Sequence, residues 1–180
     1  MIVAHLGWSC YHFPMSAFPT TLDILNRSQA PYVIVGGLAV NLHGYQRFTS
    51  DLDIVIDLQP RAAQLIVQAL FDGGFKPRVP VTAADFADPA KVQEWRELKG
   101  AKVIQFLNPK FPTFSVDVFV DPPLPFSDLF QESKVIPLGT TSGRVCSLSH
   151  LIQMKRKAGR EQDLLDLKIL EKIAKAESSL

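Results

Sequence analysis

The sequence predicts an α/β (α+β) protein: a mixed β-sheet flanked by helices, with a short helical part at the C-terminus. Three observations predict it. β-branched, apolar runs near residues 32–35, 52–56 and 114–120 alternate with segments of helical periodicity. The 13 prolines and the glycine pairs fall mostly between those segments, where they punctuate elements instead of breaking them. Residues 147–176 carry helical periodicity throughout. With 180 residues, 47% of them apolar, the chain is long and greasy enough for one core and is neither disordered nor a coiled coil.

In chain order, residues 1–18 are aromatic-rich and lack the basic start and small-residue cleavage site of a signal peptide. They read as a loosely attached extension, with Met15 as an alternative start, and residues 19–180 as the single domain. A short helix is expected over 21–28, then a strand at 32–35 ending at Gly36-Gly37 and a small-residue helix over 38–43. The next strand is 52–56. Pro60 suits the first turn of a helix reaching residue 71, with Leu65, Ile66, Ala69 and Leu70 as its apolar face and Gly73-Gly74 closing it. A strand follows at 75–79, and the acidic stretch 80–100 around Trp95 predicts an inserted helix. Residues 101–107 and 114–120 read as a strand pair joined through Asn108-Pro109, followed by short strands at 134–138 and 144–146. Ser147 and Ser149 are candidate caps of the first C-terminal helix, and Leu164, Leu165, Ile169, Leu170 and Ile173 give the second its apolar face.

Nineteen Lys and Arg against eighteen Asp and Glu leave a formal charge of +1, which excludes a chain-wide basic field for nucleic acid. Cys10, Cys146 and four scattered His have no zinc-ligand spacing, and a reducing, cytoplasmic compartment is expected. No apolar run approaches the roughly 20 residues that a membrane-spanning helix needs, so no membrane partner is expected.

The chemistry concentrates in residues 33–57, VIVGGLAVNLHGYQRFTSDLDIVID. Gly36-Gly37 stands where a strand turns into a helix, a place where backbone can approach a phosphate closely, although a plain tight turn has the same signature. Asp51 and Asp53 are two apart on a strand, so both project from one face while Leu52, Ile54 and Ile56 line the other. Side-by-side carboxylates repel unless a cation neutralises them, and all-oxygen ligands select Mg²⁺ or Mn²⁺; solvated acids at a strand end are the alternative. In FSVDVFVD, Phe114, Val116, Val118 and Val120 share one face and Asp117 takes the other. If that strand pairs beside 52–56, the three acids converge as a two-metal phosphoryl- or nucleotidyl-transfer site requires. Leu148, Leu151, Ile152 and Lys155 fall at i, i+3, i+4 and i+7, which turns Lys155 inward, either to snorkel or to meet an anion. Arg156, Lys157 and Arg160 add local positive charge, Arg160 with Asp163 reads as a surface ion pair, Asp166 as a surface acid and His43 as a packed or capping residue.

These residues resemble a family. An apolar strand, Gly36-Gly37, thirteen intervening residues, Asp51-Leu52-Asp53-Ile54 and a later Asp117 are similar to the pattern of the nucleotidyltransferase superfamily that includes DNA polymerase beta and the minimal nucleotidyltransferases. Arg47, Thr49 and the DLD run resemble the RxTxDxD form of AbiEii-like toxin nucleotidyltransferases. The resemblance implies a Mg²⁺- or Mn²⁺-dependent enzyme that moves an NMP from an NTP to an acceptor hydroxyl on RNA, tRNA or protein. A small drug such as an aminoglycoside or lincosamide is the alternative acceptor, and a non-catalytic nucleotide-binding subunit the other reading. It implies Asp51, Asp53 and Asp117 as metal ligands and catalytic acids, Gly36, Gly37, Arg47, Thr49, Ser50 and Lys155 as nucleotide contacts, and a possible cognate antitoxin as partner. The chain departs from the family in carrying Gly-Gly where many members have Gly-Ser, so no serine hydroxyl is available there for the phosphates.

Overall fold

A computed structural model describes residues 17–178; the expectations for residues 1–14, Met15 and Cys10 lie outside the described residues. Helix α1 (Ala17–Arg27) begins four residues before the expected start, because Ala17 and Phe18 join Thr21, Leu22 and Leu25 on its buried stripe. The other elements are β1 (Tyr32–Ile34), α2 (Gly36–Leu42), β2 (Asp51–Ile56), α3 (Pro60–Asp72), β3 (Lys76–Pro77), α4 (Ala83–Phe86), α5 (Pro89–Glu97), β4 (Val103–Leu107), β5 (Ser115–Phe119), α6 (Phe126–Gln131), β6 (Lys134–Leu138), β7 (Thr141–Val145), α7 (Leu148–Ala158) and α8 (Glu161–Glu177).

The strands form one seven-stranded mixed sheet in the order β3-β4-β5-β2-β1-β7-β6. β2 runs parallel to β5 and β1 parallel to β7, while β1 and β2, β3 and β4, β4 and β5, and β6 and β7 are antiparallel. The mixed α/β expectation therefore holds, and so does the pairing of the two strands around Asn108-Pro109. The parallel register sets Asp53 directly opposite Asp117, because Leu52 and Ile54 pair with Val116 and Val118 on the buried face. Beneath that face an aromatic cluster fills the core: Phe114 meets Phe18 edge-on at 4.9 Å and Phe75 at 6.4 Å, and Phe86 meets Trp95 at 5.0 Å.

Two helical faces differ from expectation. On α3 the buried stripe is Ala63, Ile66, Val67 and Leu70, and Leu65 is 42% exposed; consecutive apolar residues at 65–67 left the phase open by one position, and packing against α1 and β2 selects Ile66 and Val67. On α8 the inward residues are Asp163, Asp166, Leu167 and Leu170, whereas Leu164 and Leu165 are about half exposed. The predicted insert at 80–100 is two short helices, α4 and α5, started by Thr82 and Asp88, whose side chains accept backbone N–H bonds. Ser147 caps α7 by accepting from the His150 N–H.

Candidate active site

Alternation along the extended chain from residue 47 into β2 puts Arg47, Thr49, Asp51 and Asp53 on one side. Asp117 joins them from β5. One oxygen from each of Asp51, Asp53 and Asp117 lies within 4.8 Å of the others. Three acids this close repel one another. Burial, then the charges of Asp51 and Asp117, lift the Asp53 carboxyl to about 7, even though the Gly37 N–H and the Lys155 charge pull the other way. Burial also raises Asp117, opposed by a hydrogen bond from Gln105. A donor set of three carboxylates, with Asp53 so reluctant to ionise on its own, is one that a hard cation would neutralise.

Each acid is also tied to a neutral donor. The Thr49 hydroxyl donates to Asp51 Oδ1 at 2.6 Å, the Gly37 N–H to Asp53, and Gln105 Nε2 to Asp117 Oδ1 at 3.0 Å. The glycine pair serves this packing. Gly36 has φ +64°, and a Cβ there would lie 1.9 Å from Asp53 Oδ2; a Cβ on Gly37 would lie 2.4 Å from Thr49 Oγ1. Gly36 and Gly37 open α2 itself, two residues earlier than the expected helix start. Ser50 lies between Thr49 and Asp51 and accepts the Ser115 N–H on its carbonyl, which joins the two acid-bearing strands.

Lys155 faces inward as its spacing predicts and is 5% exposed. Its Nζ lies 2.8 Å from both Asp163 Oδ1 and Asp166 Oδ2. Arg47 donates bidentately to Asp166 at 2.8 and 3.0 Å, and Arg160 donates to Asp163 at 2.8 Å. Asp163 and Asp166, read from sequence as surface acids, are therefore buried. Burying Lys155 without partners would cost more than leaving Leu164 and Leu165 half exposed, so the charge sets the rotation of α8. The signal was present as 163, 166, 167 and 170, a helical stripe whose first two members are acids. The expected basic cluster is largely neutralised, since Arg156 also pairs with Glu171 at 2.6 Å. Lys157 points outward and donates to the Pro123 carbonyl. His43 bonds the Cys146 carbonyl at 2.9 Å, in keeping with a packed role, and burial pushes the Cys146 thiol up to about 12, out of reach as a nucleophile at neutral pH.

Sequence reasoning missed Gln105, which faces Asp117 across the β4–β5 ladder, and Asn41, whose amide brackets the Arg47 backbone through bonds of 2.9 and 3.0 Å. Neither carries a signal until the register of its neighbours is known.

No protein-family model and no curated protein matches the sequence. Solved structures do match in fold. The lincosamide antibiotic adenylyltransferase LnuA, with lincomycin bound, is similar at 18% identity and a TM-score of 0.56, over 84% of this chain and 92% of its own. A putative nucleotidyltransferase from Thermotoga maritima is similar at 16% identity and a TM-score of 0.55, over 86% of this chain and 90% of its own. ANT(2")-Ia in complex with adenylyl-2"-tobramycin is similar at 10% identity and a TM-score of 0.58, over 92% of this chain and 95% of its own.

Proposed function

We propose that this chain, which has the fold of the nucleotidyltransferase superfamily, transfers a nucleoside monophosphate from an NTP to a hydroxyl of a small molecule. The observation that carries the reading is the convergence of Asp51, Asp53 and Asp117 on one sheet face, beside a glycine pair that leaves room for them. We assign Mg²⁺ or Mn²⁺ to these three acids; when bound, such cations neutralise charge on the phosphates and the attacking oxygen. In the transfer, the acceptor hydroxyl oxygen bonds to the α-phosphorus and the bond from that phosphorus to pyrophosphate breaks. Pyrophosphate leaves with the bonding pair, and we assign the hydroxyl proton to the Asp117 carboxylate.

Gly36, Gly37 and Thr49 would border the β- and γ-phosphates, with Arg47 and Lys155 supplying positive charge, while Ser50, which alternation turns to the opposite side from Thr49 and Asp51, would act through its backbone in joining the two strands. Supporting this, Arg47, Lys155 and Arg160 set three cations against the two anions Asp163 and Asp166, a surplus of one positive charge next to the acids. Orientation and charge neutralisation would then do most of the catalytic work.

Two observations support a small acceptor over RNA: the formal charge of +1, and the internal pairing of Lys155 and Arg156, two of the three basic groups on α7 that would otherwise offer a local phosphate-backbone contact. Two of the similar structures, moreover, are named for small antibiotics or hold one adenylylated. The toxin-like reading, with RNA or protein as acceptor and an antitoxin as partner, rests on the sequence Arg47-x-Thr49-x-Asp51-x-Asp53 alone. An NTP-dependent reaction suits the cytoplasm, and among the described residues no helix is long and apolar enough to cross a membrane.

The test is incubation of the protein with each radiolabelled NTP, Mg²⁺, and separate pools of lincosamides, aminoglycosides, total tRNA and cell protein. Label on a small-molecule pool, lost in Asp53→Ala, is the expected result. Label only on RNA or protein would select the toxin-like reading, and no label with release of no pyrophosphate would overturn transfer altogether.

A further inference from the structure

We propose that Gln105 is a positioning residue for Asp117, and that Arg78 sets the direction of its amide. The inference rests on the cation-site reading above and adds to it two residues from the β3–β4 edge of the sheet. Gln105 pairs directly with Asp117 in the antiparallel β4–β5 ladder, and its Nε2 donates to Asp117 Oδ1 at 3.0 Å and to Ser115 Oγ at 3.3 Å. On the far side, Arg78 Nη1 donates to Gln105 Oε1 at 2.9 Å, and the Arg78 backbone N–H donates to the Gln105 carbonyl at 2.9 Å.

The chemistry makes this chain directional. A guanidinium can only donate, so the amide atom facing Arg78 must be the oxygen, and the NH₂ must face the carboxylate. Reversed, the amide would set its NH₂ against the guanidinium and its oxygen against the carboxylate. Arg78 therefore excludes the wrong orientation. With the Ser115 hydroxyl also bonded to Asp117, the Gln105 amide on Oδ1 is the restraint that comes from across the ladder and fixes the rotation of the carboxylate. That restraint matters because Asp51 and Asp117 carry like charges and would otherwise turn apart. Thr49 and the Gly37 N–H restrain Asp51 and Asp53 in the same way, but those donors come from the segment leading into β2 and from the neighbouring helix; Gln105 does so from a strand that contributes no acid. Partners that orient a ligating carboxylate commonly change metal affinity by 10–100-fold when removed.

The experiment is a double-mutant cycle on cation affinity, read by electron paramagnetic resonance with Mn²⁺ alone, so that no substrate or turnover is needed. Gln105→Leu should weaken Mn²⁺ binding about tenfold with the melting temperature in EDTA within a few degrees of the parent. In an Asp117→Asn background, titrated to millimolar Mn²⁺ so that the affinity left by Asp51 and Asp53 is read, the same change should have no further effect. Arg78→Met, at an exposed position that folding tolerates, should weaken binding about threefold in the parent and not in Gln105→Leu. Parent-like affinity in Gln105→Leu, or an equal loss with and without Asp117, overturns the positioning role while leaving the cation site standing. No Mn²⁺ binding by the parent protein overturns the cation site and this inference together.

Discussion

Asp53 holds the least comfortable position in the protein. Its carboxyl is raised to about 7 by burial and by two neighbouring acids, so ionising it works against folding whenever no cation is bound. Asp53→Asn keeps the shape and removes that charge. In EDTA the variant is expected to gain roughly 1–3 kcal/mol in urea unfolding, while losing Mn²⁺ binding and transfer together. A variant no more stable than the parent would mean that the three acids are better solvated than their 4.8 Å spacing implies. Gly36 is bound to the same residue by sterics: at φ +64° and with Asp53 Oδ2 where a Cβ would stand, no larger residue fits without displacing the acid.

The C-terminal helix pair turns on one residue and one network. Gly159, at φ +64°, ends α7 in the left-handed conformation, and its N–H donates to the Lys155 carbonyl at 3.0 Å. The chain folds back there, and the first turns of α8 bring Asp163 and Asp166 onto Lys155. Lys155→Ala leaves two buried acids short of a partner and should cost about 3–5 kcal/mol, whereas outward-facing Lys157→Ala should stay within about 0.5 kcal/mol. Burial alone would raise both acids. Bonds from Arg160 and Lys155 to Asp163, and from Lys155 and Arg47 to Asp166, outweigh it and hold both below the usual carboxylate range. Depressed folded-state values contribute stability that is present above the unfolded value of about 3.9 and lost as pH falls through the folded values beneath it. Urea midpoints between pH 6 and pH 2.5 should therefore drop steeply below about pH 4, and less steeply in Asp166→Asn.

At the scale of the molecule, the candidate site is a seam. β2 and β5 are parallel neighbours whose acids lie 66 positions apart in the chain, at Asp51 and Asp117, and α3, α4, α5, β3 and β4 intervene. A cation shared by the two strands would be bound by the folded chain alone. Mn²⁺ with an NTP at 100 times its dissociation constant should stabilise the fold by about 2.7 kcal/mol, a rise of several degrees in melting temperature. The same additions should leave Asp117→Ala unmoved in calorimetry, and an equal rise in that variant would place the ligand elsewhere.

Local chemistry determined much of this protein directly. Period-two alternation put Asp51 and Asp53 on one face and Leu52 and Ile54 on the other, and helical spacing turned Lys155 inward; neither needs a distant partner to be read. Strand pairing decided the rest. Which strand lies beside β2, and in what register, depends on hydrophobic packing across tens of residues, so the meeting of Asp53 with Asp117 was conditional and Gln105 carried no signal at all. The face of α8 was likewise beyond local reading, because its leucines and its acids both had helical spacing. Only the buried charge of Lys155 and the half-buried charge of Arg47, brought there by other elements, turned Asp163 and Asp166 inward and left Leu164 and Leu165 facing water.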